Sequence, residues 1–148
     1  MGTYVSFTKK GLFIMLAMIL CFGFVCCVIA AISNSETNAD TNAERLVFIK
    51  GLGYTVIDDK PDKKTVNLPV VFYDVYNNYN SLQQESNYDL SLYKGCKVTI
   101  YTYKINPPSN YTGECVVNII AYKDKIIGGD VSSVELGGFM LPLKQVID

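Results

Sequence analysis

The sequence predicts an α+β protein behind an N-terminal transmembrane helix, and three features predict it. Residues 11 to 32 form one uncharged apolar run, GLFIMLAMILCFGFVCCVIAAI. Two later stretches place apolar residues at helical spacing, and the C-terminal half holds three strand-like segments separated by turn residues. The expected outcome is a small antiparallel sheet, its C-terminal part a three-strand meander, with two helices packed on one face.

The first ten residues end in Lys9 and Lys10, directly against the apolar run. At about 1.5 Å per residue the 22-residue run makes a helix of roughly 33 Å, enough for a hydrocarbon core of about 30 Å. A cleaved signal peptide has a shorter apolar stretch, about 7–15 residues, so a retained anchor is the preferred reading. The alternative is a cleaved, secreted form, with exit sites at Val28-Ile29-Ala30 or Ala31-Ile32-Ser33. Lipid attachment at Cys26 or Cys27 is disfavoured, because no small residue precedes either. Beyond the run the first basic residue is Arg45, after Glu36, Asp40 and Glu44. The positive-inside tendency therefore puts residues 1 to 10 in the cytoplasm and the chain after Ser33 outside a cell membrane crossed once.

Residues 33 to 148 carry 11 basic against 14 acidic residues, a net charge of −3. No basic run appears, which argues against nucleic acid as a partner and against an electrostatic membrane clamp. The lysines at 60, 63 and 64 alternate with Asp58, Asp59 and Asp62 in DDKPDKK, a solvated turn.

Residues 33 to 40, SNSETNAD, are small and polar and read as a flexible tether to a domain at 41 to 148. Thr41 and Glu44 fit a capping box, Leu46, Ile49 and Leu52 keep helical spacing, and Gly53 is placed to end that helix left-handed. Residues 54 to 57 and 65 to 68 read as short strands around the charged turn. Pro69 opens a second helix whose Phe72, Val75, Tyr76, Tyr79 and Leu82 form one stripe, more in keeping with core than with a ligand site. Asp89 caps a single turn, DLSLYKG, that Gly95 stops.

Residues 97 to 105 alternate, with Val98 and Ile100 on one face and Tyr101, Tyr103 and Ile105 on the other. After the NPPSNYTG loop come strands 115 to 122 and 125 to 131, joined at Lys123-Asp124. In that register Cys96 and Cys115 sit at opposite ends of a hairpin, roughly 25 Å apart, too far for a disulfide. Cys21, Cys26 and Cys27 read as packing residues of the apolar run.

The ordered motifs VYNNYNSLQ, YDLSLYKG, YTYKI, IIGGDV and LGGFM resemble the domain of unknown function 4830 family, small proteins of Gram-positive bacteria often found behind one membrane anchor. The resemblance covers about residues 44 to 143 and implies no specific activity. The family pattern favours Asp-Gly where this chain has Lys123-Asp124, a glycine where it has Asn87, and a histidine near LGGFMLPLK that this chain lacks. Asn tolerates the left-handed region, so the second departure is readily absorbed.

Residue types then limit the chemistry. The chain has no histidine, which removes Ser-His-Asp and Cys-His schemes, the common zinc sites and any imidazole switch. Ser132, Ser133 and Cys115 have no partner base marked by spacing. Asp58, Asp59 and Asp62 do not match an EF-hand, and three lysines would repel a cation. The glycines of IIGGDVSSVELGGF match neither a Walker nor a dinucleotide loop. Gly128-Gly129 reads more simply as a bulge or a place where another segment passes close to the backbone, with Ser132 or Ser133 capping a final short turn.

The expectation is a non-enzymatic, membrane-anchored binding module with no cofactor, metal or catalytic residue. Its partner is an unidentified protein, peptide or cell-wall component. Candidate contact residues are Asp130, Gly128 and Gly129, with Tyr101 and Tyr103 on an uncovered sheet face; the competing assignment for the tyrosines is plain burial. The enzymatic alternative is an envelope hydrolase using paired carboxylates such as Asp130 and Glu135.

Overall fold

The computed structural model describes residues 37–108 and 111–144. The predicted cytoplasmic terminus, transmembrane helix and residues 33–36 of the tether lie outside the described residues. Among the described residues no helix is long and apolar enough to cross a membrane.

The chain begins with a docked segment. Ala39 N–H donates to the Asp124 carbonyl (2.8 Å), Ile126 N–H donates to the Thr37 carbonyl (3.1 Å), and Ala39 is buried. The domain therefore starts by Thr37, and residues 37 to 40 are not part of a free tether. Helix α1 (Asn42–Gly51) follows, with the expected capping box: Thr41 Oγ1 accepts from Glu44 N–H, and Glu44 returns the bond to Thr41 N–H. It ends as the sequence predicts. Gly53 has φ 92°, and Gly53 and Tyr54 N–H donate to the Lys50 and Ile49 carbonyls, the bond pair of a Schellman motif.

Strand β1 (Asp62–Asn67) pairs with β2 (Lys97–Ile105). The two short segments expected to flank a reversing turn do not pair with each other. Val56 bridges Ile105, while β1 meets residues 97 to 102 of the same strand, so residues 55 to 67 run one way along one edge. Between them 58 to 61 make an excursion closed by Lys60 N–H on Asp58 Oδ1. An Asx turn there bulges the edge and leaves its direction unchanged.

Helix α2 (Asp74–Gln84) starts later than Pro69 and ends in a second Schellman motif. Tyr88 N–H donates to the Gln83 carbonyl and Asn87 N–H to that of Gln84, with Asn87 at φ 63°. Asn87→Gly is expected to change stability by less than about 0.5 kcal/mol, whereas Asn87→Val should cost about 1–2 kcal/mol; urea midpoints compare them. Equal losses for both would show that the left-handed backbone carries no strain.

The 3₁₀ turn Leu90–Tyr93 leads through Gly95 (φ 74°) into β2, followed by β3 (Cys115–Tyr122), β4 (Lys125–Ser133) and β5 (Met140–Pro142). All five strands are antiparallel in the order β1-β2-β3-β4-β5. The meander is longer than expected at both ends: β4 runs on through Ser133, the foreseen short turn follows at 134–137, and β5 is an additional strand beyond it. Cys115 lies opposite Ile105, at the far end of the hairpin from Cys96, and both are free thiols.

The two helices do not share a face of the sheet, which corrects the expected arrangement. Ile49 of α1 packs in one buried cluster with Tyr103, Ile105, Val117, Ile119 and Val131. Phe72, Tyr79 and Leu90, from α2 and its neighbouring segments, pack in another with Val98, Ile100, Ile120 and Ile127. Strand alternation places these sets on opposite sides. Because β2 and β3 are apolar on both sides, one helical layer leaves half of that surface in water, and α2 covers part of the remainder.

Candidate functional site

The α2 face of the sheet carries a polar row. Thr102, Asn118 and Asp130 lie directly opposite one another on β2, β3 and β4. Thr102 Oγ1 donates to Asn118 Oδ1 (2.7 Å), and Asn118 Nδ2 donates to Asp130 Oδ1 (2.9 Å). From α2, the Tyr79 hydroxyl donates to Asp130 Oδ2 (2.7 Å). Ser132 joins at the margin, 3.5 Å from Asn118 Nδ2. Asp130 is only 2% exposed, with both oxygens engaged. Burial, and then the adjoining Asp130 carboxylate, push the Tyr79 phenol far above the ordinary tyrosine range. It stays a hydrogen-bond donor at physiological pH and is a poor proton source.

Gly128 and Gly129 lie beside this row, and their role is spatial. A bulge between Ile120 and Ala121 admits Ile127 as an extra residue on β4. Gln83, fully buried, comes down from α2 and accepts the Gly129 N–H on Oε1 (2.7 Å). A Cβ on Gly128 would lie 2.6 Å from that same oxygen. The donor opposite fixes which way the Gln83 amide is turned. Its Nε2 lies near the Tyr79 hydroxyl without a hydrogen bond of ordinary geometry. Of the two expectations for the glycine pair, the close approach holds at both residues, while the bulge falls one residue earlier, at Ile127.

Only part of the expected stripe is buried. Phe72 and Tyr79 pack in the core and Asn80 and Gln83 also face inward, while Val75 is 78% exposed and Tyr76 is exposed as well. Asn80 has a local reason for burial: Nδ2 donates to Asp89 Oδ1 (2.9 Å) and Oδ1 accepts Leu90 N–H (2.7 Å), which ties α2 to the 3₁₀ turn. Bonds from Ser91 and Asn80 hold the Asp89 carboxyl below the usual carboxylate range. A depressed folded-state pKa means that Asp89 contributes stability above the unfolded value near 4 and loses it as pH falls through the folded one. Asp89→Asn should flatten that acid-side decline in urea titrations at pH 2 to 5; unchanged curves would show that the capping bonds do not favour the charged form.

The displaced stripe opens outward. Val75, Tyr76, Asn78, Tyr79, Leu82 and Met140 line a groove of about 490 Å³ between α2 and β5. Its size suits a small ligand or part of a larger one, its walls are largely apolar, and among the described residues no carboxylate lines it. Tyr79 links groove and polar row, one part of its ring lining the groove and its hydroxyl on Asp130.

Tyr101 and Tyr103 are on the opposite face. Tyr103 is fully buried, donating to Asn42 Oδ1 (2.8 Å) and accepting from Arg45 Nε (2.8 Å). Tyr101 lies under the Arg45 guanidinium, 3.7 Å from its ring centroid. Helix α1 covers the face on which they stand, so the structure brings Gly128, Gly129 and Asp130 together and leaves these two tyrosines apart. Glu135 is separate too: it accepts from Tyr111, whose ring packs edge-on against Phe139. Sequence reading missed Thr102, Asn118, Tyr79 and Gln83. Strand register could have found the first two, since aligning 97–105 with 115–122 sets Thr102 opposite Asn118.

No curated protein and no solved structure matches the chain. The model of one family does match, over residues 48–131, which take in β1 to β3, α2 and β4 as far as Val131. The chain belongs to the family described as domain of unknown function 4830.

Proposed function

We propose that the protein is a single-pass, membrane-anchored binding module. Its N-terminus lies in the cytoplasm and its α+β domain outside, where the α2–β5 groove receives an apolar or aromatic-bearing part of a protein, peptide or cell-wall partner. The uncharged run of residues 11 to 32 supports the location. The observation that carries the binding role is the apolar side of α2 turned outward: Val75 and Tyr76 stay exposed while Asn80 and Gln83 take the buried positions. A helix that buries amides and exposes valine and tyrosine beside an open groove fits recognition better than core packing. Asp130 then acts as a positioning residue, holding Tyr79 and Asn118 in place. The hydrolase reading has less support, because Asp130 and Glu135 have separate partners and no acid among the described residues lines the groove.

A photo-crosslinking residue at Tyr76, with one at exposed Val47 on α1 as control, tests the groove in native cells. A discrete adduct from position 76 that is absent from 47 is expected. Identical patterns from both, or none from 76, would rule the groove out as the recognition surface.

A further inference from the structure

Four strand ends meet at one end of the sheet: the last residues of β1 and β3 and the first of β2 and β4, with Asn67 opposite Lys97 and Tyr122 opposite Lys125. The surface there is basic and apolar together. Lys94, Lys97, Lys123 and Lys125 are exposed, with Asp89 and Asp124 as acids of the same end. Val70 and Leu92 are 77% and 76% exposed, and Val71 is exposed beside them. Described contacts make this one surface. A Cβ on Gly95 would lie 3.5 Å from Val70, the Lys94 ammonium sits 4.9 Å over the Phe72 ring, the Tyr93 and Tyr122 rings are 5.4 Å apart, and the Lys123 ammonium is 5.2 Å over Tyr122.

The chain enters at this same end, where Thr37 and Ala39 bond to Ile126 and Asp124. We infer that this basal surface rests on the outer leaflet of the bilayer, its lysines on anionic phospholipid headgroups and Val70, Val71 and Leu92 at the interface. The inference depends on the proposed retained anchor. If residues 11 to 32 span the membrane, the five links from Ile32 to Thr37 reach no more than about 18 Å. The base lies about 7 Å from Thr37 along β4, within that reach, whereas Ser133 at the other end is about 23 Å away. Exposed valine and leucine among lysines, with ring faces of Tyr93 and Tyr122 nearby, is the composition of an interfacial contact. The groove remains free for a partner above the membrane.

The test is hydrogen exchange of the full chain in lipid nanodiscs made with phosphatidylglycerol or with phosphatidylcholine alone. Amides of residues 92–97 and 122–125 should exchange at least about threefold more slowly in the anionic discs. A variant with Lys94, Lys97 and Lys123 all changed to Glu should lose that difference, while protection of residues 116–120 shows that it is folded. Equal exchange in both discs, or slowing confined to residues 140–144, overturns the proposal with the anchor intact. A chain washed out of the discs at alkaline pH refutes the anchor itself, and the docking surface with it.

Discussion

Gly129→Ala is expected to cost about 3 kcal/mol or more, a large share of the roughly 5–15 kcal/mol that holds a domain folded. A Cβ there would lie 2.2 Å from the Asn118 carbonyl oxygen and 2.8 Å from Leu143 Cδ2. The carbonyl belongs to the strand paired with β4, so relief requires moving backbone in the middle of the sheet and not merely a change of rotamer. Such a shift also lengthens the bond from Gly129 N–H to Gln83, loosening α2 and the groove it lines. Gly51→Ala is the matched control. No atom lies within 4 Å of its added carbon, and in a helix the change should stabilise by about 0.5–1 kcal/mol. Denaturant midpoints measure both; a Gly129→Ala protein as stable as the parent would mean that β4 tolerates a side chain at this close approach.

Arg45→Met is expected to cost about 2–4 kcal/mol. Arg45 is buried, and its described partners are a hydroxyl, two carbonyls and a ring in place of a carboxylate: Tyr103, Ala39, Asp40 and Tyr101. Methionine keeps much of the volume but leaves the Tyr103 oxygen and the Ala39 carbonyl without this donor. Lysine should restore only part of the loss, because an ammonium cannot both stack flat on Tyr101 and donate in the guanidinium geometry. Two further readouts separate this role from simple packing. Ala39 N–H should exchange faster, since Arg45 holds that segment against Asp124. The Tyr103 phenol, already raised by burial and drawn back by Arg45, should titrate higher still. A variant with parental stability and an unmoved phenol would contradict the account of α1.

Local signals made much of the fold legible. Thr41, Glu44, Gly53, Asp89 and Gly95 act through their own or adjacent backbone, and each does what its chemistry predicts. The alternation of 97–105 and the turn at Lys123-Asp124 placed β2, β3 and β4 for the same reason. What stayed hidden depends on distant partners. Gln83 has the look of a surface residue on α2 until Gly129, 46 positions later and just past a bulge, presents its N–H to the side chain. With Gln83 and Asn80 held inward, Val75 and Tyr76 of the apolar stripe are left on the wall of a groove. β5 has three residues, too few for a period. The placement of the helices on opposite faces was nearly readable: VVNIIAY in β3 is apolar on both faces, a pattern that asks for cover on each side.

For the candidate site, IIGGDV drew attention to the right strand for a reason that proved architectural. Asp130 is the middle of a row whose other members, Thr102 and Asn118, become neighbours only through register. Tyr101 and Tyr103 mislead as surface candidates because an alternating strand gives no sign of which side a helix will cover.

The proposed role requires the domain to lie outside a membrane that residues 11 to 32 cross. Protease added to intact, wall-stripped native cells carrying an epitope after Asp148 measures this most directly. Loss of the epitope before lysis, with a cytoplasmic marker preserved, is the predicted result. An epitope that survives until the cells are broken would place the domain inside and contradict both the proposed location and the proposed role.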